Sequence, residues 1–344
     1  MSGPNVRSQR FNSDVRTLLI LLAVLLVAFA IALPGEFLTL ANFQSMSFQL
    51  PELGILAIAM AIAMLTGGIN LSIIATANAC GIVIATVLTR AVPSGASVAA
   101  TIGPLILSIA AGLSVAAAIG AANGFIITYL GVSPILATLG TMTMVEGISI
   151  LATRGRVISG FPTALLAIGN ETVFGVPAPL IIFAIAAWAI SVLLERTPFG
   201  LSVYMIGSNQ VATEFSGVNV RRVIMRLYVL SGVLCGIASV IMISRFNSAK
   251  AGYAASYQLI TVLACVLGGI NPDGGFGRII GLVLSLVILQ MVSSGLNLSG
   301  SSAHMTVALW GAIILVISLV RQIGRSRSDG VHPGRRRKSV SRTR

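Results

Sequence analysis

The sequence predicts an all-α polytopic membrane protein with about ten transmembrane helices. Of its 344 residues, 56% are hydrophobic and 9% are charged, and the mean hydropathy is +0.98. Because a soluble domain carries about a quarter charged residues, this chain could not cover a water-exposed surface. The apolar runs are long and continuous rather than alternating, which excludes a transmembrane β-barrel. The chain is therefore predicted to cross a membrane repeatedly as helices.

The placement of the basic residues predicts the orientation of these helices. The net charge is +13, and 16 of the 22 Lys and Arg residues fall in the arm 1–16, the region 195–226 and the tail from Arg321 onward. Basic clusters beside span ends follow the positive-inside rule. An even number of crossings then places both termini and the region 195–226 in the cytoplasm. The tail 323–344 is expected to be disordered and basic, and it lacks the aromatic residues that stacking on nucleic acid requires.

The transmembrane domain is predicted over residues 17–322, and its spans follow the apolar runs. Pro34 ends the first run, Pro51 suits the first turn of the second, and a turn ending at Pro134 precedes the fifth. Two polar stretches are predicted to be external loops, 153–176 and 245–256. Residues 51–89 fit two short crossings or one broken helix, and two crossings are preferred. The predicted spans are 17–33, 51–65, 73–89, 101–129, 135–152, 177–194, 227–243, 257–268, 279–296 and 305–320.

Two glycine-rich breaks interrupt the apolar runs. Both contain the tetrapeptide Gly-Gly-Ile-Asn, which starts at Gly67 and again at Gly268. Four residues do not establish a repeat, but unwound backbone is expected where a chain lines a polar path through protein. Helix packing or tight turns explain the same glycines equally well. The residues predicted to line a translocation pathway are Gly67, Gly68, Asn70, Ser72, Asn123, Gly268, Gly269 and Asn271.

The polar stretch 204–226 is the most distinctive segment of the chain, and it is typical of a short helix with both ends marked. Ser208 or Asn209 can cap its start, because a short side-chain oxygen accepts from the unpaired N–H groups of the first turn. Gly217 fits the position after its end, where a residue without Cβ enters the left-handed region cheaply.

Between these two ends the helix is amphipathic. Val211, Phe215 and Val218 form one apolar stripe, and three arginines between residues 221 and 226 precede the next apolar run. A short amphipathic helix held at the membrane face by basic residues suits the docking of a soluble partner. An ordinary loop between spans, with one helical turn, fits these features equally well.

The sequence lacks the groups that would supply chemistry or energy. No catalytic constellation, no phosphate-binding glycine loop and no paired cysteines are present, since Cys80, Cys235 and Cys265 each lie inside an apolar run. The polar groups within the spans are neutral, with Glu146 the exception. A neutral route suits an uncharged polyol or sugar, whose hydroxyls need hydrogen bonds but no counter-charge. Amides that bond between helices explain the same residues equally well.

Four segments, in this order and spacing, resemble the permease subunits of bacterial ABC sugar importers of the ribose, xylose and autoinducer-2 type. The resemblance covers about residues 42–320, which is nearly the whole membrane part. The segments are LTGGINLS (65–72), NGFIITYLGVSPILATLGTMTMVEGI (123–148), RTPFGLSVYMIGSNQVATEFSGVNV (196–220) and VLGGINPDGGFGRIIG (266–281).

This resemblance implies a ten-span fold in the bacterial inner membrane and a non-catalytic role. It implies a second permease subunit, identical or different, two ATP-hydrolysing subunits below the pair, and a periplasmic sugar-binding protein. The chain itself would bind no cofactor, because ATP-Mg would sit in the partner ATPase. The resemblance also makes the region 195–226 the coupling loop, with the residues Gly207, Ser208, Asn209, Ala212, Glu214, Phe215, Ser216 and Gly217 contacting the ATPase.

Four positions depart from the family pattern. Asn70 stands where Asp is usual, Ile74 replaces a usual Gly, and Glu146 and Leu201 stand where Arg is common. These departures indicate either a divergent substrate or one half of a heteromeric pair. Two alternatives to a sugar importer remain, a branched-chain amino acid ABC permease and an ion-coupled secondary transporter.

Overall fold

In a computed structural model of the chain, the described residues are 4–92, 98–301, 305 and 308–312. Most of the last predicted span (305–320) and the whole tail 323–344 lie outside them. The twelve helices that the structure describes up to residue 301 are α1 Pro4–Ala32, α2 Leu40–Met64, α3 Ile73–Ala91, α4 Val98–Tyr129, α5 Pro134–Thr153, α6 Thr163–Asn170, α7 Ala178–Arg196, α8 Pro198–Ser208, α9 Gln210–Phe215, α10 Val220–Phe246, α11 Tyr257–Leu267 and α12 Ile279–Leu298. Four short strands complete the described elements, β1 Ile158–Ser159, β2 Thr172–Val173, β3 Val176–Pro177 and β4 Ser248–Ala249.

Eight of the described helices are long and apolar enough to cross a membrane. They are α1, α2, α3, α4, α5, α7, α10 and α12. The all-α polytopic fold class is therefore confirmed. The count differs from the predicted ten because α11 has only 11 residues and the last predicted span lies outside the described residues.

The helices α2 and α10 form the centre of the domain. Within their apolar windows, 83% of α2 and 78% of α10 are buried, against 28% for α4, α5 and α7. Side chains of α4 and α5 that face outwards are apolar, as expected for helices that face lipid or another membrane subunit. At the crossing of α4 and α10 the backbones touch, since a Cβ on Gly120 would overlap the Tyr228 carbonyl oxygen. Small residues thus allow the closest packing in the core.

Helix α2 begins eleven residues earlier than the predicted span at residue 51. The Thr39 hydroxyl caps it by accepting a hydrogen bond from the Asn42 amide at 3.2 Å. The Asn42 side chain in turn donates to the Phe37 carbonyl at 2.8 Å, which fixes the entry turn. Pro51 therefore lies inside the helix rather than at its first turn. Residues 42–49 are polar and therefore look like a loop in the sequence. In the structure their amides and hydroxyls form hydrogen bonds within the protein, so the helix includes them.

Helix α10 also extends beyond its predicted bounds of 227–243. The Asn219 side chain caps its start by accepting from the Arg222 amide at 3.0 Å. The arginines at 221, 222 and 226 therefore lie in its first turns, not in a loop before it. At the other end Arg245 belongs to the last turn, where it was predicted to begin an external loop.

The polar stretch 153–176 is structured, as predicted, and it contains a helix that the sequence pattern did not indicate. Helix α6 buries Leu165 completely and packs against α10. The Asn170 side chain donates to the Ser244 carbonyl at 2.9 Å, and β1 pairs antiparallel with β4. These contacts join the segment 154–177 to the segment that follows α10. The two segments lie at the end of the domain away from α9, which is called the opposite end below.

Candidate functional site

The predicted docking helix is present as α9. Asn209 is its N-cap, with the side-chain oxygen accepting from the Ala212 amide at 2.9 Å, so that Asn209 rather than Ser208 takes this role. Gly217 follows the C-cap Ser216 with a φ of +82°, in the left-handed region. Both ends of the predicted helix are therefore where the sequence placed them.

Two of the three predicted stripe residues, Val211 and Phe215, face away from the protein, whereas Val218 lies after the end of α9 and is partly buried. The side chain of Phe215 is 89% exposed and that of Val211 is 63% exposed, while Thr213 on the other face is buried. A large aromatic side chain that no neighbour covers is unusual on a polar surface and is typical of an interface. The other predicted contact residues Ser208, Ala212, Glu214 and Ser216 are exposed on the same segment.

Both glycine-rich breaks meet the segment that leads into α9. The Gly275 amide donates to the Leu65 carbonyl at 2.9 Å, which joins the break after α2 to the break after α11. Gly207 packs against both, because a Cβ there would overlap the Leu65 oxygen and the Gly275 nitrogen. Gly274 has a φ of +90°, and a Cβ on it would lie 2.7 Å from the Gly67 nitrogen and 2.9 Å from the Gly207 Cα. These residues, Leu65, Gly67, Gly207, Gly274 and Gly275, are called the glycine junction below.

A side-chain hydrogen bond reinforces the glycine junction. The Tyr204 hydroxyl of α8 donates to the Gly277 carbonyl at 2.8 Å. Burial, together with the nearby Glu195 carboxylate, raises the pKa of Tyr204 to about 12. The hydroxyl therefore stays protonated and remains a donor through the physiological pH range.

The two Gly-Gly-Ile-Asn segments are not structurally equivalent. The left-handed residue is the first glycine in one copy, Gly67 with a φ of +80°, and the second glycine in the other, Gly269 with a φ of +84°. Asn271 closes a tight turn by donating to the Gly274 carbonyl at 3.1 Å, whereas Asn70 bonds to distant helices. The shared tetrapeptide therefore does not mark a structural repeat.

Three of the predicted pathway residues form one buried hydrogen-bond network. The Asn70 amide donates to the Ser231 hydroxyl at 2.9 Å and accepts from the Ser72 hydroxyl at 2.8 Å. Ser72 accepts from the Asn123 amide at 2.8 Å, and Ser231 donates to the Ala59 carbonyl at 2.9 Å. The network ties α2, the start of α3, α4 and α10 together. These three side chains are at most 3% exposed, and the side-chain oxygen of Asn123 has no hydrogen-bond partner among the described residues.

A cavity of ≈ 380 Å³ lies beneath α9, between this helix and the turn that joins α4 to α5. Glu214 of α9 and Arg221 of α10 line it, and Arg221 stacks over the Tyr129 ring at 5.8 Å. The hydroxyl of Tyr228, at the inner wall, has no hydrogen-bond partner among the described residues. Gly68 borders this wall, since a Cβ there would lie 2.9 Å from that hydroxyl. The glycine at 68 thus separates the junction from the cavity.

Sequence reasoning missed one buried charge. The side chain of Glu52 in α2 is 1% exposed, and its carboxylate pairs with Arg245 at 2.9 Å and accepts from the Tyr257 hydroxyl at 2.8 Å. The prediction that Glu146 is the exception among neutral groups was therefore incomplete. A carboxylate one residue after Pro51 could have been noticed, but only if the helix had been predicted to start before the proline.

Comparison with known proteins places the chain in a family. The protein-family model that describes the permease component of the branched-chain amino acid transport system matches residues 42–318. The autoinducer 2 import system permease protein LsrD of Yersinia enterocolitica serotype O:8 is 33% identical over 277 residues, which cover 79% of this chain and 80% of that protein. The LsrD proteins of Yersinia pseudotuberculosis serotype O:3 and of Yersinia pestis strain Angola are 31% identical over the same length and the same shares. No solved structure matches.

These matches confirm the resemblance that the four sequence segments carry. They cover the helices from α2 to α12, including α9 and both glycine-rich breaks. A multi-pass protein of the inner membrane follows from the family together with the eight apolar helices. The chain therefore belongs to the family of ABC importer permeases that this model describes.

Proposed function

We propose that the chain is the transmembrane permease subunit of an ATP-binding cassette importer that moves a sugar or related polyol, such as a pentose or autoinducer 2, into the cell. Separate ATPase subunits drive it, and a periplasmic sugar-binding protein delivers the substrate. The observation that carries the proposal is the exposed helix α9, which is joined through Gly207 to both breaks of the transmembrane domain. An ATPase subunit that binds Phe215 would thereby displace backbone that lies within the membrane domain.

The path from α9 to the membrane domain supports this mechanism. Because α8 ends at Ser208 and α9 starts at Gln210, a push on α9 acts on the C-terminal turn of α8. That turn contains Gly207, whose backbone touches Leu65 and Gly275 without an intervening side chain. When two backbones are in direct contact, a movement of one displaces the other, because no side chain between them can change its rotamer and take up the movement. Gly207 thus acts as a positioning residue, while Phe215 is the residue that contacts the ATPase.

The breaks are proposed to gate the inner half of the route. Gly67 belongs to the glycine junction, Gly68 lies between the junction and the cavity beneath α9, and the Asn70 network holds the other side of the same break. A rigid-body shift of α8 would move this break relative to α10, which opens or closes the cavity to the cytoplasm. Gly268 brings α11 and α12 close enough to move with it, because a Cβ on Gly268 would lie 2.7 Å from the Leu282 backbone.

A second permease subunit is proposed to pack on α5. The outward face of this helix carries Gly140, Thr143 and Gly147, all exposed, and a Cβ on either glycine would meet no atom within 4 Å. Small residues at a spacing of three to four let a second helix approach closely in a membrane. The route would then run along α5, near the interface of the two subunits. The partner is a second copy of this chain or a related permease.

The proposed orientation puts α9 and both termini in the cytoplasm. Arg196, Arg222 and Arg226 lie near α9, in agreement with the positive-inside rule. The opposite end, with β1, β4 and α6, then faces the periplasm and receives the binding protein. The tail 323–344 is proposed to lie in the cytoplasm, where its basic residues would meet anionic headgroups.

Two observations favour a sugar over a branched-chain amino acid. The relatives at 31–33% identity are named for autoinducer 2, whereas the family as a whole is named for branched-chain amino acids. An amino acid carries an ammonium and a carboxylate, and each needs a counter-charge when desolvated. Within the described membrane helices, the buried carboxylate of Glu52 is already paired with Arg245, so Glu146 of α5 could balance an ammonium, but no buried cation there is left to balance a carboxylate.

Reconstitution tests the proposal. The chain is purified with the ATPase subunits and the second permease subunit of its importer and placed in proteoliposomes with the importer's binding protein. Uptake of radiolabelled D-ribose, D-xylose, autoinducer 2 and L-leucine is then measured with and without ATP. ATP-dependent accumulation of one of the first three compounds is expected. Accumulation of leucine alone would favour the amino acid permease, and uptake that needs a proton gradient but no ATP would favour a secondary transporter.

A further inference from the structure

A second cavity lies inside the transmembrane domain, away from α9. It has a volume of ≈ 180 Å³ and is bounded by α3, α5 and the segment 246–257 that links α10 to α11. Its polar lining consists of Asn78, Glu146, Ser149 and Gln258. The volume suits a molecule of five or six carbon atoms, since one water occupies about 30 Å³ of the liquid.

The cavity lies about halfway through the transmembrane domain, because the segment 246–257 enters the domain from the opposite end. Helix α11 starts at Tyr257 and has 11 residues, so it rises by roughly 16 Å, about half of the hydrocarbon thickness. The Tyr257 hydroxyl reaches Glu52, which lies twelve residues into α2, and the Tyr253 carbonyl accepts from the Asn78 amide at 3.0 Å. Unwound backbone at this depth is tolerated where it is buried or lines a polar cavity.

Three polar atoms at this cavity have no protein partner among the described residues. They are the side-chain oxygen of Asn78 and both the oxygen and the nitrogen of the Gln258 amide, and all three are shielded from the surface. Asn78 as a whole is 5% exposed. A buried amide without hydrogen bonds is costly, so a ligand that supplies both donors and acceptors would be stabilised there.

The chemistry of the lining selects a class of ligand. Amides both donate and accept, and a hydroxyl group does the same, whereas an ammonium only donates and a carboxylate only accepts. Glu146 lies beside Gly252, since a Cβ on that glycine would be 3.7 Å from its Oε1, and a carboxylate can accept from two neighbouring hydroxyls. Within the described residues, Glu146 forms no ion pair with Arg154 or Arg156, the neighbours expected from the sequence.

We infer that this cavity is a transient binding site for a small uncharged polyhydroxylated molecule on its way through the permease. Gln258 and Asn78 bond its hydroxyls through their unpaired amide atoms, and Glu146 accepts from a pair of them. The inference rests on the proposed import of a sugar or polyol and assigns the residues that contact it within the membrane.

The variant Gln258→Leu tests the site with little risk to the fold. Because the Gln258 amide has no internal partner, its replacement by an apolar side chain of similar size leaves no other group unpaired. The melting temperature of the assembled importer should therefore stay level or rise. Loss of one or two ligand hydrogen bonds should lower the number of polyol molecules moved per ATP by about 3- to 10-fold. Stimulation of ATP hydrolysis by the loaded binding protein should remain.

The control variant is Gln290→Leu, which removes another buried amide. Gln290 donates to the Gln49 side chain at 3.2 Å and does not line the cavity. Its replacement should lower the melting temperature and leave the ratio of transport to ATP hydrolysis unchanged. The probes are D-ribose, D-xylose and autoinducer 2, each supplied on the binding protein.

The outcomes distinguish a failure of the proposed binding site from a failure of the proposed function. An unchanged transport ratio in Gln258→Leu and in Asn78→Ala, with active wild-type importer, would overturn the site and leave the proposed function standing. If the wild-type importer moves none of the three probes, the proposed function fails. Loss of transport in Glu146→Gln, with no effect of the two amide variants, would indicate a cation site and would also overturn the inference.

Discussion

Glu52 of α2 and Arg245 of α10 form an ion pair, with 2.9 Å between the Oε2 and Nη1 atoms. The same carboxylate accepts from the Tyr257 hydroxyl at 2.8 Å, so that it holds the last turn of α10 and the first residue of α11. The segment 246–257 lies between these two points and forms a wall of the second cavity, the one that Asn78, Glu146 and Gln258 line. One buried carboxylate thus fixes both ends of the part of the chain that descends into the domain.

Removal of Arg245 should destabilise the protein strongly. In Arg245→Met the Glu52 carboxylate, 1% exposed, is left buried without a counter-charge, and breaking such a pair costs roughly 3–5 kcal/mol. We expect the free energy of unfolding, measured in detergent micelles with denaturant, to fall by about 3 kcal/mol or more. The double variant Glu52→Gln with Arg245→Met should recover most of this loss.

The control for this prediction is Arg156→Met. Arg156 is exposed in the segment at the opposite end, and surface substitutions of this kind change stability by about 0.5 kcal/mol or less. Equal stability of Arg245→Met and Arg156→Met would show that the ion pair does not stabilise the fold.

The sequence predicted most of the helices, and it did so through local signals. Asn209 and Gly217 mark the ends of α9 by their own chemistry, and both are where they were expected. Long apolar runs located six of the eight described spans within about two residues at each end, and α10 starts at Val220 instead of residue 227. The start of α2 was wrong by eleven residues, because polar side chains such as Asn42 look like a loop when their partners are unknown.

Contacts between distant segments could not be predicted. Glu52 pairs with a residue 193 positions away, and no local pattern relates them. The same limit applies to the glycine junction, since Gly67, Gly207 and Gly274 come from three separate parts of the chain. The sequence marked Gly67 as part of a break and the resemblance marked Gly207, but neither indicated Gly274 or showed that the three backbones touch.

Phe215 should account for much of the affinity for the ATPase. Its side chain is 89% exposed on α9, and truncating a central aromatic residue of an interface typically costs 2 kcal/mol or more, at least about a thirtyfold loss of affinity. We expect Phe215→Ala to weaken binding of the purified ATPase by about this factor, measured by biolayer interferometry on nanodiscs, and to leave the melting temperature unchanged. Phe174→Ala is the matched control, because Phe174 is fully exposed in the hairpin at the opposite end. Equal affinities of the two variants would remove α9 as the docking helix.

Gly207 should be required for coupling rather than for docking. A Cβ at this position would overlap the Leu65 oxygen and the Gly275 nitrogen, so Gly207→Ala must push α8 away from the glycine junction. We expect ATPase binding to stay within about threefold of wild type, because the exposed face of α9 is unchanged, while ATP-driven uptake falls by about tenfold or more. In Gly103→Ala the new methyl meets no atom within 4 Å, and uptake should be unaffected. Uptake at the wild-type rate in Gly207→Ala would mean that the junction transmits no motion.

Asn70 is one of the four residues that depart from the pattern expected from the resemblance, and the hydrogen bonds around it explain why an amide is needed here. Its nitrogen donates to Ser231 at 2.9 Å, and its oxygen accepts from the Ser72 hydroxyl at 2.8 Å and from the Ser72 amide at 3.1 Å. An ionised carboxylate could replace the acceptor but not the donor. Ser231 already donates to the Ala59 carbonyl at 2.9 Å, so it has no proton left for a carboxylate.

Restoring the usual residue should therefore harm this protein. In Asn70→Asp the lone pairs of Ser231 lose their donor and face a buried negative charge, which should lower the free energy of unfolding by about 1–3 kcal/mol. Asn219→Asp is the control, because the Asn219 side chain caps α10 by accepting from the Arg222 amide, and an Asp caps equally well. That variant should change stability by about 0.5 kcal/mol or less. If Asn70→Asp is as stable as wild type, the new carboxyl group must be protonated or must accept from a serine hydroxyl that has turned towards it. The hydrogen-bond network would then not require an amide at this position.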